Sequence, residues 1–274
     1  MRAAMVWAMV QRDLRLVSRS RGVLVPLAVV PLVTLVLIPA MIAFLPGVSG
    51  APEQLLSSLP LQLTPADVVQ AQVASLSPEE SFITLALLHF MAPVYLLVPL
   101  IVASVIAADS FAGERERKSL EALLYLPTTD TELLAAKILS AWLPAVTVGG
   151  VGFVLYGLTI NLFGWPVMGR LFFPTWTWLV IGLWVMPAVA GLGLGVGALI
   201  SSRVGTVQES SQLGSIVVMP LLVLLLAQLG GRLHLGVPQA LLLGGFLWAT
   251  TLVLLRLGRR WCSREALLLR GGGP

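Results

Sequence analysis

Charge is what this sequence has least of: Asp, Glu, Lys and Arg make up 11% of 274 residues, against about a quarter in soluble domains. A water-facing surface cannot be assembled from so few charged side chains, so a soluble globular protein is excluded. Cysteine is almost missing as well. Cys262 stands alone, which excludes a disulfide framework, a paired-thiol redox centre and a cysteine-rich zinc site, and reads as a free thiol. The two histidines, His89 and His234, are too few for a His-Glu-x-x-His helix or a three-histidine metal centre. Nowhere does Gly-x-x-x-x-Gly-Lys-(Ser/Thr) occur, so the chain has no P-loop with which to cradle nucleotide phosphates. Neither an internal repeat nor a low-complexity linker divides it, and residues 1–274 read as one membrane domain.

What the chain has in abundance is apolar length. A hydrocarbon core about 30 Å thick needs about 20 helical residues at 1.5 Å each. Six uncharged runs reach that length: 22–52, 81–108, 138–169, 171–202, 210–231 and 233–255. Within them helices are predicted at 23–45, 82–107, 134–160, 176–200, 210–229 and 238–256. The fold class is therefore all-α integral membrane, with six transmembrane helices. The first run follows a basic stretch of 21 residues and is itself span-length, so it reads as a retained helix, not a cleaved leader.

Basic residues fix the expected orientation. If the runs alternate across a bilayer, fifteen of the seventeen lysines and arginines fall on one side, and only Arg170 and Arg232 on the other. Positive residues flanking spans stay cytoplasmic, which predicts both termini inside and an even number of crossings. Five or seven spans would not give that asymmetry. The net charge of +4 is then topological, and nucleic acid is not an expected partner; the expected location is the plasma (inner) membrane of a prokaryote.

Four segments are more than simple spans. Residues 3–21 place Ala3, Val6, Val10, Leu14 and Val17 on one helical face and Arg12, Arg15 and Arg19 on another, with Trp7 and Met9 widening the apolar side. That is the pattern of an interfacial amphipathic helix over 1–21, although a plain basic topogenic tail fits too. Residues 46–81 carry four acids, five prolines and no basic residue, and read as a small extracytoplasmic loop with a helix start near Thr64. Residues 257–274 read as a cytoplasmic tail.

The fourth segment, 109–127, holds the densest chemistry. Burying Glu114, Arg115, Glu116, Arg117, Lys118 and Glu121 in hydrocarbon would cost on the order of 3 kcal/mol each, so this stretch belongs in water or against protein. Glu114 with Lys118 and Arg117 with Glu121 are i,i+4 pairs, while Leu120, Leu123 and Leu124 form an apolar stripe. A short charged helix ending at Pro127 follows. Thr129 and Glu132 are spaced as a capping box for the next span, and Lys137 is placed to snorkel back to the interface.

These residues resemble the membrane subunits of type-2 ABC exporters. The resemblance rests on Gly113, Glu114, Arg115, Ser119, Leu120, Glu121, Leu123, Leu124, Pro127, Thr128, Glu132, Leu133, Leu134 and Lys137. The patch 201–212 and the basic N-terminal helix are similar to that family's fourth connection and connecting helix. Where Lys118 and Ser119 stand, the family often has Gly-Thr. The resemblance implies a cytoplasmic coupling helix between spans 2 and 3 that docks on a separate ATPase. It implies an ATPase-coupling interface of Glu114, Arg115, Glu116, Arg117, Lys118 and Glu121, joined by Arg203 and Glu209 in a second contact, with Lys137 adjacent. The implied partners are two P-loop ATPase subunits and a second permease copy or related permease. No cofactor is expected in this chain, since ATP and magnesium would sit on the ATPase, and no catalytic site of its own is expected. The last outer connection, around 232–238, is short, so no substrate class carries over.

Other readings compete. Gly191, Gly193, Gly195 and Gly197 superficially suggest a dinucleotide loop, but they sit inside an apolar run, where Gly191 with Gly195 offers close helix packing. His89 lies at membrane depth and is either a pathway residue or a neutral histidine bonded inside the bundle. Trp165, Trp176 and Trp178 read as an interfacial aromatic belt, and Pro26, Pro31, Pro39, Pro93 and Pro99 as tolerable kinks. Against the permease stand an ion-gradient transporter, which would want ionisable groups at mid-membrane, and a non-transporting assembly factor.

Overall fold

Uncharged runs become helices because in hydrocarbon each backbone N–H and C=O must be bonded within its own segment. The computed structural model describes residues 3–17, 21–47, 75–116, 130–201, 212, 214–229 and 233–261. Every element among them is helical. In chain order they are α1 (Ala3–Val17), α2 (21–44), α3 (78–116), α4 (Asp130–Met168), α5 (176–201), α6 (215–229) and α7 (Val237–Trp261).

Five helices are long and apolar enough to cross a bilayer: Leu27–Phe44, Pro78–Ser110, Ala135–Met168, Trp176–Ser201 and Val237–Leu257. The remaining apolar helix, Ile216–Leu229, is shorter, spanning about 20 Å at 1.5 Å per residue. The departures from the predicted bounds are largest in α3 and α4. α3 starts at Pro78 because Ser77 accepts from the Glu80 N–H at 3.2 Å while the Glu80 carboxylate accepts from the Ser77 N–H at 2.9 Å, a capping box with proline in the first turn. α4 runs on to Met168, where Gly169, at φ +58°, turns the chain.

Three of the helices contain a widened π turn: Val33–Leu37 in α2, Thr84–Phe90 in α3 and Ile181–Val185 in α5. Each lies just before a proline, namely Pro39, Pro93 and Pro187. A proline ring clashes with the carbonyl four residues back, which here belongs to Leu35, His89 and Leu183, all within the widened turns. The extra residue per turn relieves that clash. The prolines expected to kink spans thus act in part by widening them.

α5 is the central helix, packed most extensively on α3 and then on α7; α4 also lies on α3, and α1 and α2 lie on α4. Its glycines explain the close approach. A Cβ at Gly193 would fall 2.7 Å from the Leu100 carbonyl oxygen, and at Gly197 2.9 Å from Ala107 Cβ, both on α3. At Gly191 it would meet Thr251 Cγ2 at 2.7 Å, and at Gly195 Leu254 Cβ at 3.0 Å, both on α7. Two residues of offset turn a helix about 200°, so the two glycine rows face opposite neighbours.

An aromatic knot fills the space between α3, α4 and α5. Trp178 stacks on Tyr156 at 4.8 Å and meets Phe173 edge-on at 5.2 Å, with Tyr95 at 5.6 Å. Trp178 is 0% exposed, which corrects its assignment to an interfacial belt. Trp176 is 79% exposed; two positions apart on one helix, the two indoles point opposite ways. The widened turn in α3 provides the polar handles. Pro93 has no N–H to offer the Leu88 carbonyl five residues back, and the Trp178 indole N–H occupies it at 2.9 Å. The Tyr156 hydroxyl donates to the neighbouring Leu87 carbonyl at 2.6 Å.

Candidate functional site at the α3–α4 junction

The charged stretch begins inside a helix. Residues 107–116 contain no proline and a single glycine, so nothing stops α3, and Met91–Glu116 is one unbroken helix. Residues 109–116 of the segment read as a coupling helix, 109–127, thus continue the span predicted to end at 107. Glu114, Arg115 and Glu116 therefore sit on the terminal turns of α3. Arg117, Lys118, Glu121 and the rest of the predicted rod to Pro127 lie outside the described residues, as do Arg203 and Glu209, Thr129 of the predicted capping box, and the helix start near Thr64.

Across from this extension stands the base of α4. Lys137 does not snorkel towards water: it is only 6% exposed. Its Nζ donates to the Ser110 carbonyl of α3 at 2.9 Å. A buried ammonium is costly unless its protons find acceptors, and a carbonyl on the neighbouring helix is one. The Lys137 carbonyl in turn accepts from the Ser140 hydroxyl at 3.0 Å, and Ser140 is fully buried. Glu132, one turn before Lys137, is buried too, as is Ser201 at the end of α5.

α1 completes the junction. Val6, Met9 and Val10 pack with Ala136 in a small buried cluster flanked by Leu139 and Leu143. Val6 and Val10 thus turn the predicted apolar face towards α4, while Trp7 is 52% exposed. Residues of three helices meet within two positions of Lys137. The Ser110 acceptor is a backbone carbonyl, which no side-chain motif in the sequence marks.

The other singled-out residues lie apart from this junction. His89 sits in the widened turn of α3, where Nδ1 donates to the Thr84 carbonyl at 3.2 Å, leaving Nε2 as the lone-pair nitrogen. Its ring meets that of His234, from the connection before α7, at 5.6 Å between centroids. Burial holds the His234 imidazole below its ordinary pKa. Two buried polar atoms near the α6–α7 connection, His234 Nδ1 and Gln228 Oε1, have no hydrogen-bond partner among the described residues. Gly191 and Gly195 lie between α5 and α7, away from both ends. Among the described residues no group of three or more His, Cys, Asp or Glu side chains converges as a metal site would require.

A comparison with curated proteins returns no match to the chain. The sequence profile described as ABC-2 family transporter protein matches residues 7–241. That stretch takes in α1 from residue 7, every helix from α2 through α6 and the start of α7, and it includes Ser110 and Lys137 of the α3–α4 junction. With five membrane-length apolar helices among the described residues and a match over most of its length, this chain belongs to the ABC-2 transporter family, as a type-2 ABC transporter permease.

Proposed function

We propose that this permease is the membrane subunit of an ATP-driven exporter, moved by ATP hydrolysis on a separate polypeptide. The observation that carries the reading is the unbroken helix Met91–Glu116. It joins a membrane-spanning segment to the Gly113-Glu114-Arg115 run without a hinge, so force applied to the charged end of this helix, 109–116, passes directly into the bundle. The sequence has no P-loop, so the hydrolytic work falls to a partner. In this reading Glu114, Arg115, Glu116, Arg117, Lys118 and Glu121 contact one of two P-loop ATPase subunits, with Arg203 and Glu209 in a second contact. A second permease copy or a related permease completes the pathway.

The topology that goes with this function has six crossings, with Ile216–Leu229 as the fifth and both termini cytoplasmic. The bilayer is a prokaryotic plasma membrane, and the fifteen-to-two division of basic residues supports that orientation. Co-purification with a P-loop ATPase, and loss of stimulated ATP hydrolysis on Glu114→Arg, are the expected results. An ATPase that neither binds the chain nor responds to Glu114→Arg would defeat the proposal.

A further inference from the structure

We infer that Lys137 is a positioning residue of the drive: a strut that passes movement of the charged turns 109–116 at the end of α3 into the base of α4, without itself touching the ATPase. The inference rests on the reading of the chain as ATPase-driven and deepens it.

The geometry is specific. Lys137 reaches across 27 residues of sequence to the Ser110 carbonyl at 2.9 Å. In α-helical register that carbonyl is also the partner of the Glu114 N–H, four residues on. The ammonium therefore grips the turn that carries the Gly113-Glu114-Arg115 run. From Ser110 to Glu116 the helix advances only about 9 Å, so a tilt of this last stretch reaches Ser110 almost undiminished. On the receiving side, Ala136 beside Lys137 is clamped by Val6, Met9 and Val10 of α1, and buried Ser140 ties the Lys137 carbonyl to the next turn. A displacement delivered through the ammonium thus enters α4 at a fixed point and moves α1 with it.

Packing alone would not need an amine there. A side chain of similar length and no charge would fill the same volume without the desolvation penalty. What lysine adds is a directional bond between two helices at the point where the spans meet the charged turns. Lys137 is 6% exposed, so it has little surface with which to meet a soluble partner, and the link is internal.

The test uses the full chain in complex with its P-loop ATPase in nanodiscs. Three variants separate the roles: Lys137→Met removes the donor and keeps the length, while Lys137→Arg and Lys137→Gln keep an N–H donor with and without charge. Lys137→Met is expected to assemble with the ATPase and to melt within about 3 °C of the parent. It is expected to lose at least about fivefold of the permease-stimulated ATP hydrolysis. Hydrogen exchange supplies a readout that a purely structural role would not move. In the parent complex, trapping with ATP and vanadate changes amide protection over 130–143; Lys137→Met abolishes that change, and Lys137→Arg and Lys137→Gln restore it.

Full stimulation together with a parental exchange response in Lys137→Met would overturn the strut while leaving the ATPase reading intact. If Lys137→Met fails to assemble, the Arg and Gln variants decide: recovery of stimulation and exchange by both supports the donor role, and recovery by neither overturns it. A parent chain that binds no ATPase brings down both the reading and the strut.

Discussion

The rings of His89 and His234 lie 5.6 Å apart, centroid to centroid, with their planes tilted by 32°. They are the only histidines in the chain, and packing brings one from the widened turn of α3 against one from the connection before α7. As neutral rings they pack without penalty. If both were charged they would oppose each other by at most about 3 kcal/mol at an effective dielectric near 20.

Burial of His234 predicts acid sensitivity. Because burial pushes the His234 pKa down, the unfolded chain binds more protons than the folded one below the ordinary histidine value. Stability is therefore greatest above about pH 6.5 and falls as pH drops towards the lowered folded value, then levels off. The melting temperature in detergent, followed between about pH 8 and pH 5, where Asp and Glu stay ionised, is expected to decline only in the lower half of that range. His234→Gln should flatten the curve. A parent protein equally stable at both ends would show that burial does not disfavour the charged His234 ring.

Removing one hydroxyl should expose the cost of the widened turn in α3. Tyr156→Phe leaves the aromatic knot intact but withdraws the donor from the Leu87 carbonyl, at a site where no water competes. A loss of about 1–2 kcal/mol is expected, read as a lower melting temperature. Thr147→Val is the control. Its hydroxyl bonds only back to the Leu143 carbonyl of its own helix and is exposed, so its removal should be nearly silent.

Two glycines in neighbouring helices should respond in opposite ways. Gly193→Ala drives a methyl to 2.7 Å from the Leu100 carbonyl oxygen, a backbone atom that cannot rotate aside. Destabilisation of about 1–3 kcal/mol is expected. Gly150→Ala meets nothing within 4 Å and gains helix propensity, so it should be neutral or raise stability by up to about 1 kcal/mol. Parallel melts of the two variants test the pair, and equal effects would show that α3 and α5 are not in close contact.

The connection between α4 and α5 depends on one side chain. The Asn161 amide donates to the Phe173 carbonyl at 2.9 Å and accepts from the Phe172 and Phe173 N–H groups at 3.2 and 3.3 Å. Asn161→Leu removes all three bonds and should cost about 2–3 kcal/mol. Asn161→Asp keeps the two accepted bonds and should cost less. Hydrogen exchange over 169–175 should rise in the leucine variant first.

Most of the helical layout was legible because it depends on a coarse quantity, the length of uncharged chain. Five runs became membrane-length helices, and the glycine spacing in α5 pointed to close packing before any neighbour was known. The shorter Ile216–Leu229 shows the limit of that quantity, since an apolar run bounds a helix without setting its ends. Trp178 and Lys137 were misplaced for a related reason. Side chains of amphipathic character have a usual destination at the interface, but a neighbouring helix that offers a carbonyl acceptor competes with water. Leu88 and Ser110 are such acceptors, and their availability depends on tertiary packing and, for Leu88, on a proline five positions away. The partner of His89 was hidden for the simpler reason that nothing local links it to His234. Residues 109–116 belong to α3 because charge ends an apolar run without ending a helix.

The widened turns before Pro39, Pro93 and Pro187 have a bearing on how these spans can vary. Adding or deleting one residue in a regular helix swings everything beyond it by about 100°, which would scramble the faces shown to lipid and to neighbours. A turn that already holds a surplus residue can lose it and revert to regular winding. The segments on either side of each such turn are thus separately phased, and α2, α3 and α5 can each re-aim one half of the helix while the other half keeps its partners.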